Sequence, residues 1–484
     1  MKKMPAVSKD NQFKKITPCN GFDCANPDNA KQNSYAWSMA EFKEYIYVGT
    51  ARNVLLIVLE SGLFGNLPIP PMLIPQNLDM NAEIWRYKKD GSQGWTRVYK
   101  SPPDLGINGF RFMIPFTTLD GQTALYAGGV SRTKGIIILK STDGINWKPL
   151  QTGIIGTTRS MAVHNGKLFM GVLPLNEIAE IKTMLYVSLD PEKYGWAKVD
   201  LAGNPNLNPR GNIDSLLSWN NHLYVGTSLP TGFELWRTKG LKAKKDQWVL
   251  VVDRGAGDAL NQFPIDMDVF NNYIYVGTAA FVIRGLGPGN DLIPPKGFDI
   301  VRVNANDKWE IVVGGDPIIP TQPTTGTREK PLSKYPSGFG NLTDAYCWQV
   351  TPFKGELYVG SFDWSVIIPE LLSVISPNSN IDINNYIELL LDYLKYLCHI
   401  DTRLSLFPVD TMVELVAKAF INGVKKNFGF DLWKSKDGIH WQKITKDGFG
   451  NSYNYGTRNI LSTSDGKLFI GTANPFQGCE VWVK

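Results

Sequence analysis

A strand ending in glycine recurs along this chain, and residues at a fixed distance before that glycine differ sharply in chemistry. Counting back twelve residues from the repeat Gly reaches Trp37, Arg159, Asp214, Ile265, Trp348 and Asn459; in the second copy, whose hairpin is longer, anchoring on Phe116 gives Arg111. Tyr35, Tyr346, Tyr453, Tyr455, Asp344 and Arg458 lie close by in sequence. A repeat kept only for packing would place similar residues at these positions. Cations, an anion and indoles together suit a site that grips a polar group. Arg52, Arg111, Arg159 or Arg458 with Tyr455 could hold an anion, because charge-assisted donors in a water-poor pocket stabilise negative charge. Asp214, Asp344 or Asp363 could accept a proton. The candidate catalytic residues are therefore Arg52, Tyr455, Asp363, Asp344 and Arg458. The candidate substrate-binding residues are Trp37, Tyr35, Arg111, Arg159, Asp214, Trp348 and Tyr346. The competing reading is a polar channel filled with water.

Other chemistries find little support. The four histidines are His164 and His222 in hairpins, His399 in a helical stretch and His440 before Trp441, so no four-histidine iron site can be assembled. A Ser-His-Asp triad would need His399. Cys19 and Cys24 have no second ligand pair for zinc. No cofactor is expected, a structural calcium ion being the one metal left open. RGLGPG, from Arg284 to Gly289, lacks the strand-helix setting of a dinucleotide loop. STDGINW, ending at Trp147, and SKDGIHW, ending at Trp441, resemble the Asp-box of sialidases but are one residue short, and such boxes make a turn. Fifty Lys and Arg against 45 Asp and Glu leave +5, too little to imply a nucleic-acid partner. Five cysteines, few and odd in number, fit a reducing compartment better than a disulfide scaffold. The basic start MKKMPAVSKDNQFKK has no apolar run after it, so no secretory signal is expected, and the location reads as cytoplasmic.

The elements that must position the candidates follow from the repeat. YIYVGT (to Thr50), LYAGG (to Gly129), LFMG (to Gly171), LYVGT (to Thr227), YIYVGT (to Thr278), LYVGS (to Ser361) and LFIGT (to Thr472) make seven copies. Nearly every copy follows a strand-like stretch and a tight turn, which reads as a hairpin. A third strand with an acidic residue follows at AEIWR, FELWR, FDIVR, FDLWK and CEVWV, and Glu83, Glu234, Asp299, Asp431 and Glu480 there read as structural. A fourth strand begins with Trp95, Trp147, Trp196, Trp248, Trp309 and Trp441 in the first six units. Four strands in each of seven units predict an all-β, seven-bladed β-propeller formed by the single chain 1–484. The seventh unit ends after its third strand. FKKIT (13–17) matches WQKIT (441–445), so the N-terminal strand is expected to complete the last blade and close the ring.

Strand order places the loops between second and third strands on one face, together with the loops between blades. The surplus sequence lies there, as an apolar insertion at 51–81 in blade 1, a loop at 279–297, and an insertion at 362–428 in blade 6 whose stretches YIELLLDYLKYL and MVELVAKAFINGV have helical spacing. Three readings stand: a satellite core over the mouth, a lid enclosing an apolar ligand, or helices lying on a membrane, the last disfavoured because their polar positions are not enriched in Lys or Arg.

The repeat resembles a broad group of bacterial seven-bladed propellers with LYVGT strands, over nearly the whole chain. The apolar lid and polar mouth resemble the propeller of cyanobacterial Friedel–Crafts alkylating enzymes, which make cyclophanes from alkyl chlorides and alkylresorcinols. That resemblance implies a metal-independent, bond-forming transferase acting on a hydrophobic small molecule, with Arg and Tyr binding an anion and an Asp as base. The alternative is a non-catalytic propeller that binds a glycan, lipid or protein partner on the same face.

Overall fold

The computed structural model describes residues 13–61, 69–131, 133–175, 181–280, 296–375 and 428–484. Aromatic and β-branched residues alternate through the seven repeat segments, and each forms a strand: Tyr45–Arg52, Thr123–Ser131, Lys167–Leu173, His222–Ser228, Tyr273–Ala279, Glu356–Asp363 and Leu468–Ala473. Each pairs antiparallel with the strand before it and the strand after it, and a fourth strand pairs outside the third. The first unit shows the pattern in Asn33–Phe42, Tyr45–Arg52, Glu83–Lys88 and Thr96–Lys100. The fold is all-β and antiparallel. Hairpin turns use residues that tolerate left-handed backbone, as at Asn165-Gly166, Asn220-Asn221 and Asn271-Asn272, where φ is positive at both central positions.

The first strands of the other six units are Ile107–Thr117, Thr157–His164, Asn212–Trp219, Phe263–Phe270, Asp344–Phe353 and Gly456–Ser462. They touch one another in chain order, and the seventh touches the first. The repeat glycine makes this packing feasible. A Cβ on Gly277 would lie 2.5 Å from the Cys347 sulfur of the next unit, and one on Gly471 would lie 2.7 Å from Cβ of Ala36 in the first. Glycine is thus required because a neighbouring first strand crosses it at contact distance. At the chain ends, Lys14–Lys15 pairs antiparallel with Val481–Val483, and the Ile16 amide donates to the Val481 carbonyl at 2.9 Å.

The recurring acidic residues of the third strands are engaged in the fold. Glu83 accepts from Asn33 and from the Trp85 indole and pairs with Arg97 at 2.8 Å. Glu480 accepts from Asn454 and the Trp482 indole and pairs with Lys15 at 2.9 Å. Burial opposes ionisation of Asp299, yet Lys296 and Arg328 at 2.9 and 2.8 Å hold its carboxyl below the usual carboxylate range. Asn33, Asn261 and Asn454 each link such a carboxylate to the carbonyl of a left-handed glycine at a corner between units, namely Gly21, Gly255 and Gly448. An uncompensated charge at any of these sites would cost about 3 to 5 kcal/mol.

A short helix, Pro27–Gln32, that the repeat pattern does not announce precedes the first unit, and a disulfide joins Cys19 to Cys24 just before it. The cysteine count therefore no longer argues for a reducing compartment. The insertion at 51–81 forms the helix Val54–Glu60 and the turn Pro71–Leu73, and the insertion that begins at 362 forms Trp364–Ile367 and the helix Ile368–Ile375. The expected helices at 386–397 and 412–424, His399 and most of the loop at 279–297 lie outside the described residues. Among the described residues, no helix is long and apolar enough to cross a membrane.

Candidate functional site

Every first strand breaks register at one shared place, and those of the first, second and sixth units break it a second time nearer their start. Relative to the second strand, pairing skips Trp37, Arg111, Arg159, Asp214, Ile265, Trp348 and Arg458. A bulge removes one residue from the ladder and re-aims it, which is how a sheet presents a side chain that its pleat would otherwise bury. The count from the repeat glycine finds five of these seven, and the anchor on Phe116 adds Arg111. It misses in the last unit, where the connection between Ser462 and Leu468 is longer, so that Asn459 pairs with Gly471 and Arg458 is the bulged residue.

In six of the seven units the residue after the bulge ties its unit to the next, satisfying backbone groups that no ladder reaches. Ser38 donates to the Phe110 carbonyl at 2.7 Å and Ser215 to the Pro264 carbonyl at 2.7 Å. Ser160, Asp266 and Gln349 accept from the amides of Leu216, Val350 and Ile460. Asn459 of the last unit donates to the Ala36 carbonyl of the first at 2.7 Å. Phe112 offers no such bond, and at that junction Arg111 donates to the Thr157 hydroxyl at 2.8 Å.

Three guanidinium groups meet within this ring. Arg111 lies over the Trp37 indole at 5.0 Å and Arg458 over the Trp348 indole at 5.4 Å, while Arg159 is 3.3 Å from the Asp214 carboxylate. The indoles have room because the following unit carries glycine beneath them. A Cβ on Gly109 would come within 2.2 Å of Trp37, and one on Gly456 within 2.0 Å of Trp348. Burial pushes Arg458 down to about 9, and repulsion from Arg111 and Arg159 adds to the shift. Arg458 is in the seventh unit and Arg159 in the third, so their mutual influence places both toward the common centre. The Arg458 Nε is buried and, among the described residues, has no hydrogen-bond partner.

Two acidic groups that the sequence reading passed over lie on the fifth first strand. Burial raises Asp266 to about 7 and Asp268 to about 6, while Arg458 acts on Asp266 in the opposite sense. Their signal was available in FPIDMDVF, where two carboxylates interrupt an otherwise apolar inner strand.

Above the ring stands an aromatic cluster. The hydroxyls of Tyr35 and Tyr455 contact each other, and burial pushes both phenols above their ordinary value, with Tyr346 and Arg458 close enough to act on each. Phe362 packs on Tyr455 at 4.9 Å and on Trp348 at 4.7 Å between ring centroids. Leu55, Leu56 and Leu59 from one insertion and Trp364, Val366 and Ile368 from the other complete the same apolar cluster. The Tyr453 hydroxyl donates to Glu370 at 2.9 Å, fastening the second insertion to the seventh unit.

Three sequence candidates instead hold the fold. Arg52 is fully buried, with each guanidinium nitrogen bonded: Nε to the Asp79 carbonyl, Nη1 to Asn29 and Asn33, and Nη2 to Asn29. Asp363 caps Trp364–Ile367, accepting from the Ser365 amide at 3.0 Å and its hydroxyl at 2.6 Å. Asp344 accepts from the Ser361 hydroxyl at 2.8 Å, which in turn accepts from the Asp431 amide. Their types suited chemistry, but local backbone donors and neighbouring strands claimed them. Tyr35, Tyr346, Tyr455, Trp37, Trp348, Arg111, Arg159, Asp214 and Arg458 are the candidates that gather at the ring or directly above it. Among the described residues, no group of three or more His, Cys, Asp or Glu is arranged to hold a metal ion.

No family model matches the chain, and no curated protein matches it. Among solved structures, it is similar to the extracellular domain assigned to a hybrid two-component system of B. thetaiotaomicron, at 12% identity and a TM-score of 0.48, covering 97% of this chain and 39% of that one. It is also similar to a protein of unknown function from Dyadobacter fermentans at 14% identity and a TM-score of 0.38, covering 74% and 95% of the two chains. A prolyl endopeptidase matches at 9% identity and a TM-score of 0.38, covering 96% of this chain and 48% of that one.

Proposed function

We propose that the chain is a seven-bladed β-propeller whose lidded face takes up a hydrophobic small molecule with a polar head, and that it is an enzyme of the bond-forming kind. Seven four-stranded units with cyclic contacts between first strands support the propeller reading. The observation that carries the functional reading is the continuity of one apolar cluster, from the insertion helices through Tyr35, Trp348 and Tyr455, down to the arginine-bearing ring. An apolar lining that ends in converging polar groups is the usual build of a small-molecule site.

The alkylation implied by the resemblance to cyclophane-forming enzymes is the reaction class to examine first. In it a carbon–chlorine bond breaks, an aromatic carbon–carbon bond forms, chloride leaves toward cationic donors, and the ring proton passes to a base. Asp266 suits that last role, because burial raises its carboxyl to about 7 and leaves it poised to take a proton. A thermal-shift screen of neutral alkylphenols and long-chain alcohols against oligosaccharides tests the class of ligand. Stabilisation by alkylphenols is expected, and stabilisation by sugars alone would favour a glycan-binding propeller instead.

A further inference from the structure

The three guanidinium groups of the ring belong to units 2, 3 and 7, and only their placement at the centre lets them act on one another. Asp214 pairs with Arg159, and Asp266 lies near Arg458 but also accepts the Val350 amide. Two of the guanidinium groups lie over indole rings, at 5.0 and 5.4 Å from their centres. A cation–π contact takes up none of a guanidinium's N–H donors, and the fork they form matches a carboxylate or phosphate. Arg458 adds a buried Nε with no hydrogen-bond partner among the described residues, and both burial and the two like charges of Arg111 and Arg159 work against its positive charge. A buried donor left unsatisfied on a charged group, as at Arg458, lowers stability until an anion meets it, and proteins accept that cost at sites that bind one.

We infer that the polar head of the ligand is an oxyanion, a carboxylate or a phosphate ester, seated on Arg458 with Arg111 and Arg159 around it, while its apolar body lies against Trp348, Tyr35 and Tyr455. This deepens the proposed function and rests on its lidded-face reading. It adds that the substrate class is an anionic amphiphile and that Arg458, rather than Arg52, is the anchoring cation.

The test compares three probes of equal chain length, decanoate, decyl phosphate and decanol, titrated calorimetrically into the full-length protein below their micelle concentrations. One of the two anions is expected to bind about 10- to 100-fold more tightly than decanol, the scale of a buried charge-assisted contact, and their ratio separates carboxylate from phosphate. Arg458→Gln should lose that preference while keeping the affinity for decanol, Arg458→Lys should retain part of it, and Lys148→Gln, on an exposed outer strand, should change nothing. Without ligand, Arg458→Gln should melt above the wild type, because it removes a desolvated charge beside two like charges; a merely structural arginine would do the opposite. Equal binding of all three probes to the wild type would overturn the inference and leave the lidded-face reading standing. Binding of none would overturn both. Should Arg458→Gln fail to fold, the head-group preference of the wild type and its loss in competing inorganic phosphate decide the matter alone, absence of either counting against the inference.

Discussion

Replacing Asp266 with asparagine should stabilise this protein above neutral pH far more than below it. Burial, with Asp268 adding repulsion, raises the Asp266 carboxyl from an ordinary 3.8 to about 7. The folded protein therefore holds this proton more tightly than the unfolded chain does. Stability from this group is fully present below the unfolded value near 3.8 and is lost as pH rises through 7. At about 1.4 kcal/mol per unit, the loss reaches at most about 4 kcal/mol at pH 8 and about 2 kcal/mol at pH 5. Asparagine has no charge to desolvate, and its carbonyl oxygen can still accept the Val350 amide that Asp266 accepts at 2.8 Å. The advantage of Asp266→Asn over the wild type should thus grow by about 2 to 3 kcal/mol between pH 5 and pH 8. In a chain of this length that corresponds to a further rise of about 2 to 3 °C in melting temperature, readable by calorimetry at both pH values. An offset that is the same at the two pH values, or a variant less stable at pH 8, would refute the reasoning by showing that the folded protein carries Asp266 ionised at no cost.

Three other outcomes are expected. Gly456→Ala should destabilise by about 1 to 3 kcal/mol and perturb tryptophan fluorescence, because its Cβ would lie 2.0 Å from the Trp348 ring, whereas Gly94→Ala, with open space around it, should cost little on that account; equal stability of the two variants would remove the argument for the seated indole. Deleting residues 1–18 removes the pairing of Lys14–Lys15 with Val481–Val483 and the contact of Lys15 with Glu480, so the truncated chain should aggregate or melt well below the wild type, and melting at the same temperature would contradict closure by that strand. Replacing residues 369–427 with a short Gly-Ser linker should leave a folded protein by far-UV circular dichroism that has lost affinity for alkylphenols; unfolding would assign the insertion to the main core, and unchanged affinity would end the lid reading.

The repeat and its strands were legible because a second strand that crosses a neighbour at contact distance must carry glycine at the same place every time, as Gly277 and Gly471 do. The closing strand was legible for a similar reason, since Phe13 to Thr17 must meet the same neighbours as Trp441 to Thr445. Composition and periodicity record such local demands directly. The assignment of roles at the centre was not recorded in this way. Arg52 and Arg458 are the same residue type near a strand end, yet one is consumed by Asn29, Asn33 and Asp79 while the other stays with an unpaired Nε beside two further arginines. Asp363 and Asp266 differ likewise, one spent on a helix cap and the other pushed toward neutrality by burial. What separates the members of each pair is which backbone amides, indoles and charges arrive from other units, and how much water they exclude. Those partners come from strands far away in the chain, so only the tertiary structure could decide them.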